Sequence, residues 1–276
     1  MTGPVVVGFD GTPESLAATA WAAREAQRRD CPLHLLHAWP RPKRDTSERH
    51  HPVERLAARE AELLTTVDVP VSSSQVPDPP ADALEAAART ASLLVLGSRG
   101  LGALHGFLVG SVSQEVLRRA ACPVVLVRTG ADEPAGPVLV GLDLDHPTDE
   151  VLAFAFDAAA RRSAPLRVVH VWSPPSGTEY MAFDAIGGVQ NELSAAEQAR
   201  FTDLLEPWRE RRPEVDVTAD LIRGSATVAV VDAAATARLL VVGRRLRRTL
   251  LGTHLGPVAH AAVHHVHCPV ALVPHA

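Results

Sequence analysis

Short apolar runs alternate with longer Ala-rich segments along the first half of the chain. The runs are rich in Val and Leu and predict β-strands at positions 5–9, 33–38, 69–73, 93–96 and 124–127. The segments between them have the length and composition of helices at positions 13–29, 53–66, 81–90 and 111–120. Because a tight turn cannot join parallel neighbours, this alternation predicts a doubly wound α/β fold. Ligands of such sheets bind beyond the carboxyl ends of the strands, where the strand order reverses.

The first predicted helix carries a stripe of apolar residues on one face. Leu16, Ala20, Ala23 and Ala26 recur at helical spacing, with Trp21 near the edge of the stripe. We interpret this stripe as core packing.

The pattern occurs twice, and repeats are sought first because they fix the architecture. Two segments return 133 positions later: VGFD at 7–10 as VGLD at 140–143, and HAW at 37–39 as HVW at 170–172. Two others return 146 positions later: LVLG at 94–97 as LVVG at 240–243, and CPV at 122–124 as CPV at 268–270. The second copy therefore holds 13 extra residues, which we place in a longer loop over 173–193. The Gly- and Pro-containing segment 129–137 predicts the linker between domains 1–130 and 137–276.

Composition excludes several classes of protein. With 46% hydrophobic and 21% charged residues, the chain resembles a globular protein, and a net charge of -5 gives no attraction for nucleic acid. No apolar stretch reaches the ~20 residues of a membrane span. The start of the chain lacks a leader pattern, so we expect a cytoplasmic protein.

Three groups of residues suggest other chemistry but have simpler explanations. The three cysteines lack CxxC spacing, which favours buried apolar thiols in a reducing compartment. Arg244, Arg245, Arg247 and Arg248 are typical of a solvated loop. His260 and His264 have the spacing of a metal pair, but no HExxH pattern accompanies them, so we expect surface or cap histidines and no metal.

A glycine motif follows the fourth strand. Gly97, Gly100 and Gly110 form a G-x2-G-x9-G-S pattern that ends at Ser111. It is neither a Walker loop nor a GxGxxG fingerprint. Glycines expose backbone N–H groups, and the first N–H groups of a helix lack intrahelical partners, so this segment suits an anion such as a phosphate chain. Arg99 adds a positive charge to the same loop.

Structural roles can also explain these residues. Ser111 followed by Gln114 matches a capping box, in which the Ser serves only its own helix. The glycines alone are equally consistent with tight turns. Their position after a strand and before a helix favours a ligand.

The turn after the first strand has two compatible roles. In Asp10-Gly11-Thr12, Thr12 is a good N-cap for the helix that Pro13 begins. An Asp at the carboxyl end of a strand can also accept hydrogen bonds from a ribose or base.

In this order the motifs resemble those of the universal stress protein family over essentially the whole chain. That family has a V-x-x-D-G-S-like first turn, the long glycine motif and a final strand introduced by Pro-Val, found here at 7–12, 97–111 and 123–127. The resemblance implies two tandem domains, each a five-stranded parallel sheet of order 3-2-1-4-5. It also implies ATP, or ADP or AMP, as the ligand of an ATP-binding member, with Mg²⁺ bound through the phosphates as an option.

The resemblance also implies roles for the motif residues. Asp10, with Gly11 and Thr12 in the same turn, and the backbone near Ala38 would meet the adenosine. The ribose and phosphates would meet the glycine motif and its neighbours: Gly97, Arg99, Gly100, Gly110, Ser111 and Val112. The chain departs from the family pattern at Thr12, where Ser is usual, and at Asp78, where Gly is frequent.

The second copy departs further. Leu246 stands in place of the middle glycine, and Pro257 in place of the hydroxyl residue, which removes both a hydroxyl and a backbone donor. Its first turn, at 143–146, has lost the Gly and the hydroxyl. We predict that this half keeps the fold and binds ATP weakly or not at all.

The phosphate-binding pattern comes without a recognisable catalytic base, nucleophile or metal cluster. We therefore expect a non-catalytic, adenine-nucleotide-binding regulator. Two alternatives stay open: a slow ATPase or adenylyl-transferring enzyme on the same fold, and an interaction module without a ligand. The resemblance also implies that the final strands, at 124–127 and 270–273, pair across domains or subunits, partly within the chain. A further homodimer is left open.

Overall fold

The computed structural model describes residues 3–39, 50–98, 110–130, 135–146, 148–173, 185–245 and 255–275, with only the backbone described for 50–53 and 185–190. The strands of this part of the chain are β1 (Val5–Gly8), β2 (Leu33–Ala38), β3 (Val71–Val76), β4 (Leu93–Ser98), β5 (Val124–Arg128), β6 (Val138–Leu142), β7 (Leu166–Trp172), β8 (Val217–Arg223), β9 (Leu239–Arg245) and β10 (Val270–His275). The helices are α1 (Pro13–Arg29), α2 (His50–Thr66), α3 (Pro80–Ala87), α4 (Ser111–Arg119), α5 (Asp149–Arg161), α6 (Ala185–Arg211), α7 (Ala226–Ala233) and α8 (Pro257–His265). None of these helices is long and apolar enough to cross a membrane.

The ten strands form one sheet in the order β3-β2-β1-β4-β5-β10-β9-β6-β7-β8. Within each half the pairing is parallel and the order is 3-2-1-4-5, which confirms the predicted fold class. The halves meet where β5 and β10 pair antiparallel, with Val270 opposite Leu126 and Leu272 opposite Val124. The expected pairing of the final strands is therefore present within this chain.

Helices cover both faces of the sheet, so the strands are buried on both sides. One apolar layer lies beneath α1, α2, α5 and α6 and contains Trp21, Phe156 and Phe201. The other lies beneath α3, α4, α7 and α8 and contains Leu117 and Val263. Both layers run through the two halves without a break. This burial explains why the strands are nearly continuous Val and Leu runs.

The predicted face of α1 is wrong in part. Leu16 is 40% exposed, whereas Trp21 and Ala18 are fully buried. Glu25 is also buried, with 1% of its surface exposed. The spacing of apolar residues could not predict a buried charge in this face, because Glu25 pairs with Arg162 of the second half.

Several element boundaries differ from the predicted ones. The third strand begins at Val71 rather than at position 69, since Pro70 has no N–H to donate and only its carbonyl pairs, with Leu33 at 2.9 Å. The fourth strand continues to Ser98, and the third helix ends at Ala87. Strand pairing, not apolarity, decides where these strands end.

The predicted loop at 173–193 is wrong in its second part. α6 begins at Ala185 and carries Gly187 and Gly188 inside it, while 174–184 lie outside the described residues. Each glycine costs a helix about 1 kcal/mol relative to Ala. Extending an existing helix is much easier than nucleating one, so a 27-residue helix can include both glycines.

Candidate functional site

A cleft of about 350 Å³ opens in the first half beyond the carboxyl ends of β1, β2 and β4. It lies where the strand order reverses between β1 and β4, which is the position expected for a ligand of this architecture. Seven of the ten predicted site residues line it: Asp10, Thr12, Ala38, Gly97, Gly110, Ser111 and Val112. Gly11 belongs to the adjoining turn, and the predicted Arg99 and Gly100 lie outside the described residues.

The lining contains further residues that sequence reasoning missed. They are apolar side chains of β1, β2, α3 and β4 and small or acidic residues at the starts of α1 and α4: Gly8, Phe9, Glu14, Ser15, Leu36, Pro80, Leu84, Leu96 and Ser113. The apolar members carry no motif, because their chemistry is that of any core residue. Ser15 and Ser113 could have been predicted as lining residues, because each lies in the first turn of a helix that begins at the cleft.

The turn between β1 and α1 is held by its own side chains. Gly11 has φ +79, a conformation that favours glycine. Thr12 donates to Asp10 Oδ1 twice, from its backbone N–H at 3.0 Å and from its hydroxyl at 2.6 Å. The Thr12 hydroxyl in turn accepts from the Ser15 N–H at 3.3 Å. The predicted N-cap is therefore confirmed.

These bonds keep Asp10 ionised. Burial acts to raise the pKa of the Asp10 carboxyl, but the hydrogen bonds from Thr12 outweigh it, so the pKa lies below its usual value of 3.8. The Asp10 side chain remains exposed at the cleft. It is thus a permanent acceptor, suited to the hydroxyl groups of a sugar.

Gly97 allows α1 to approach β4. A Cβ at this position would lie 2.6 Å from the backbone carbon and oxygen of Glu14. No flexible side chain is involved that could move aside. Gly97 therefore has a packing role in addition to its place in the cleft.

The start of α4 is open towards the cleft. Gly110 is the N-cap, and Ser111 is the first helical residue. The Gln114 N–H donates to the Gly110 carbonyl at 3.0 Å, so the predicted capping box at Ser111 is wrong by one position. Gly110 has φ -59 and ψ 151, which any residue can adopt, and among the described residues no atom lies within 4 Å of where its Cβ would be.

This geometry leaves backbone donors available. The first N–H groups of a helix have no intrahelical acceptor, and Gly110 has no side chain to offer one. The same end of the helix carries the positive end of its dipole. The start of α4 can therefore accept an anion.

In the corresponding turn of the second half, the acidic side chain is engaged by neighbouring residues of the protein. Asp143, which matches Asp10, accepts from the Asp145 N–H at 3.2 Å through Oδ1. Its Oδ2 contacts His146 Nδ1 at 2.9 Å and the Arg245 guanidinium at 3.2 Å. α8 begins at Pro257, with Gly256 as N-cap. Leu246 lies outside the described residues.

The histidine that occurs in the second strand of each half contacts a backbone carbonyl at the end of the first strand in both halves. His37 Nδ1 lies 2.7 Å from the Phe9 carbonyl, and His170 Nδ1 lies 3.1 Å from the Leu142 carbonyl. Each is buried and joins the second strand of its half to the first. This repeated contact is structural and explains why the histidine occurs twice.

The other groups considered as candidate chemistry lie elsewhere. The rings of His260 and His264 are 4.4 Å apart, and the described residues contain no group of three or more metal-ligating side chains. Burial raises the pKa of Cys122 to about 11 and that of Cys268 to about 12, so neither is a thiolate near neutrality. Arg244, expected in a solvated loop, is instead buried in β9.

Comparisons with known proteins give a consistent result. A model of the universal stress protein family matches residues 1–128 and 135–274. A universal stress protein of Mycobacterium tuberculosis (strain H37Rv) is 35% identical over 287 residues, covering 96% of this chain and 95% of that protein. A universal stress protein structure from Archaeoglobus fulgidus matches 99% of each chain, at 16% identity and a TM-score of 0.68. Another, solved in complex with cAMP, matches 46% of this chain and 98% of its own, at 26% identity and a TM-score of 0.38.

Proposed function

Since the chain belongs to the universal stress protein family, we propose that its first half binds an adenine nucleotide and that the chain is a non-catalytic regulator in the stress response. The nucleotide is ATP, ADP or AMP, with Mg²⁺ held through the phosphates when ATP binds. We also propose a cytoplasmic location and a division into domains 1–130 and 137–276. The open start of α4, facing the same cleft as Asp10, is the observation that carries the proposal.

Charge and polarity give the nucleotide one orientation. The acidic Asp10 lies just before α1 and Glu14 in its first turn, while the backbone donors that have no acceptor within α4 lie at the start of that helix. A phosphate group is repelled by the two acidic side chains and attracted by the backbone donors of α4. The phosphates therefore belong beside Gly110, Ser111 and Val112, with Arg99 and Gly100 in the loop that precedes them. Asp10 then accepts from the ribose.

The base belongs at the apolar end of the cleft. Leu36 and Leu84 offer apolar surface there, and Ala38 ends β2 beside them. Binding sites of this kind combine an apolar lining with a few polar groups that fix the orientation. A cleft of about 350 Å³ lies within the usual range for a small-molecule site.

We propose that the second half does not bind the nucleotide. Its acidic residue Asp143 is engaged by the Arg245 guanidinium, and Pro257 brings no N–H to the start of α8. A nucleotide would have to displace that ion pair and would find one backbone donor fewer. The two halves therefore differ in function while sharing a fold.

Mass spectrometry tests the proposal. The protein is purified under native conditions and extracted with acid, and the small molecule that co-purifies with it is identified. We expect ATP, ADP or AMP from the wild type and none from a Gly110→Trp variant, whose indole would fill the cleft. Protein that carries no nucleotide and takes none up would support an interaction module instead. Phosphate release from ATP that Gly110→Trp removes would favour the slow ATPase over the regulator.

A further inference from the structure

Two buried arginines lie beside the junction of β5 and β10. Arg128 is 5% exposed and Arg244 is 2% exposed. Arg128 stands opposite Ser98 in the β4–β5 pair, and Arg244 stands opposite Pro274 in the β9–β10 pair. Both occupy the face of the sheet that α4 and α8 cover.

Each arginine reaches across the junction to the other half. Arg244 Nη2 donates to the Ala120 carbonyl at 2.5 Å, and Arg128 Nη2 donates to the Val263 carbonyl at 2.7 Å. Ala120 is the C-cap of α4, and Val263 lies in the last turn of α8. Each guanidinium thus meets the negative end of a helix dipole.

The duplication does not account for this exchange. At the offset of 146, Arg128 matches Pro274 and Arg244 matches Ser98, so the two arginines come from different positions of the repeat. Each half nevertheless supplies one arginine that donates to a carbonyl near the end of a helix in the other half. Two unrelated positions that converge on one kind of contact indicate that both helix ends need to be held.

Arg244 depends strongly on its contact with Ala120. Its Nε and Nη1 atoms are buried and have no hydrogen-bond partner among the described residues. Burial lowers the pKa of Arg244 to about 10, so the side chain is still charged near neutrality. A buried charge is tolerated only where nearby dipoles or charges compensate it. Here the end of α4 supplies that compensation.

The helix that Arg244 holds is the one whose start faces the cleft. α4 has nine residues and is therefore only about 14 Å long, a rigid unit with Ala120 at one end and Ser111 at the other. We propose that Arg244 is a positioning residue of the nucleotide site, through which the second half fixes the phosphate-binding end of α4. The inference rests on the proposed function and assigns the second half a role in it.

A pair of variants tests this inference. Arg244→Met removes the contact with α4, and Arg128→Met removes the matching contact with α8, on the half that we expect to lack a site. We expect Arg244→Met to weaken ATP binding by roughly threefold to tenfold, the range typical of residues that act through a coupled element. Arg128→Met should leave the affinity within about twofold, and Arg244→Lys should restore part of the loss.

Amide hydrogen exchange gives a readout that does not require nucleotide. Exchange of the unliganded protein should quicken in α4 with Arg244→Met and in α8 with Arg128→Met, because each helix loses its far-end contact. Equal ATP affinities for wild type and Arg244→Met, or an equal loss with Arg128→Met, would overturn the inference. A wild type that binds no ATP overturns the proposed function, and with it the inference that Arg244 affects nucleotide binding. Amide hydrogen exchange still decides, without nucleotide, whether Arg244 holds α4.

Discussion

The two halves of the chain share one fold but differ at the turn that follows their first strand. In the first half, Asp10 accepts hydrogen bonds from Thr12 of its own turn and stays exposed at the cleft. In the second, the matching Asp143 is engaged by His146 and Arg245. Strand order is the same on both sides, so apolar positions maintain the fold, while the polar contacts of this turn differ between the halves.

The starts of α4 and α8 repeat this contrast. Both follow a glycine N-cap at which a Cβ would meet no atom within 4 Å in the part of the chain that the structure describes. Ser111 continues the first with an N–H and a hydroxyl, whereas Pro257 continues the second with neither. The substitution leaves the helix intact, because proline is well suited to the first helical position. Donors at the start of a helix can thus be removed without breaking the helix.

The junction between the halves is asymmetric as well. Glu25 on α1 is buried against Arg162 of the second half and Arg29 of its own helix. The matching position of α5 is Ala158, at the offset of 133. One carboxylate from the first half therefore serves arginines from both halves.

We expect Glu25→Gln to have the largest effect on stability, a loss of about 3–5 kcal/mol, because it leaves Arg162 buried without its counter-charge. Chemical denaturation measures it. Asp157→Asn is the matched control on the other side of the junction. Its carboxylate is partly exposed, and we expect about 1 kcal/mol or less. A Glu25→Gln variant as stable as the wild type would show that the ion pair is dispensable.

The Glu25 effect should depend on pH. Burial acts to raise the pKa of Glu25, but Arg162 and Arg29 lower it below its usual value of 4.5. A lowered pKa in the folded state means that the carboxylate stabilises the protein above pH 4.5. This contribution is lost as the pH falls through the folded-state pKa. The difference between wild type and Glu25→Gln should therefore be constant near neutrality and shrink in acid.

The glycines near the end of the fourth strand of each half, Gly97 in β4 and Gly243 in β9, should respond differently to a methyl group. Gly97→Ala places a Cβ against the Glu14 backbone, and we expect a cost of about 1–3 kcal/mol together with weaker nucleotide binding. Gly243→Ala meets the far end of the His275 ring at 2.7 Å, which can turn aside. Thermal unfolding compares the two variants. Equal costs would mean that the close approach of α1 to β4 is not special to the first half.

The smallest expected difference concerns the helix caps. Thr12→Val removes the hydroxyl that accepts from the Ser15 N–H, and we expect a loss of about 1 kcal/mol. Thr148 is buried but its side chain makes no cap bond at the start of α5, so Thr148→Val should cost less than Thr12→Val. Denaturation of both variants measures this difference. If Thr148→Val costs as much, the two turns are more alike than their contacts indicate.

Local patterns were sufficient to predict most of the fold. Val and Leu runs gave the strands, and the Asp10 turn gave the N-cap, because these signals lie within a few residues of one another. The order of the strands came from the family resemblance. Glu25, Arg162 and Arg244 could not be predicted as buried, since their partners lie more than 100 positions away.

The candidate site was predictable only in its motif residues. Leu36 and Leu84 line the cleft with side chains that any core would contain. The capping pattern predicted Ser111 as the N-cap, and the structure places the N-cap one residue earlier, at Gly110. Polar motifs therefore locate such a cleft, and packing determines the rest of its lining.

Calorimetric titration of the purified, nucleotide-free chain with ATP tests the central claim most directly, because it counts sites. We expect one site per chain. Gly110→Trp should remove it, because the indole would fill the cleft, and the matched Gly256→Trp should leave it unchanged. Within the described ranges a Cβ at either glycine meets no atom within 4 Å, so we expect neither substitution to disturb the fold. Two equivalent sites per chain, or binding that survives Gly110→Trp and is lost with Gly256→Trp, would contradict the account.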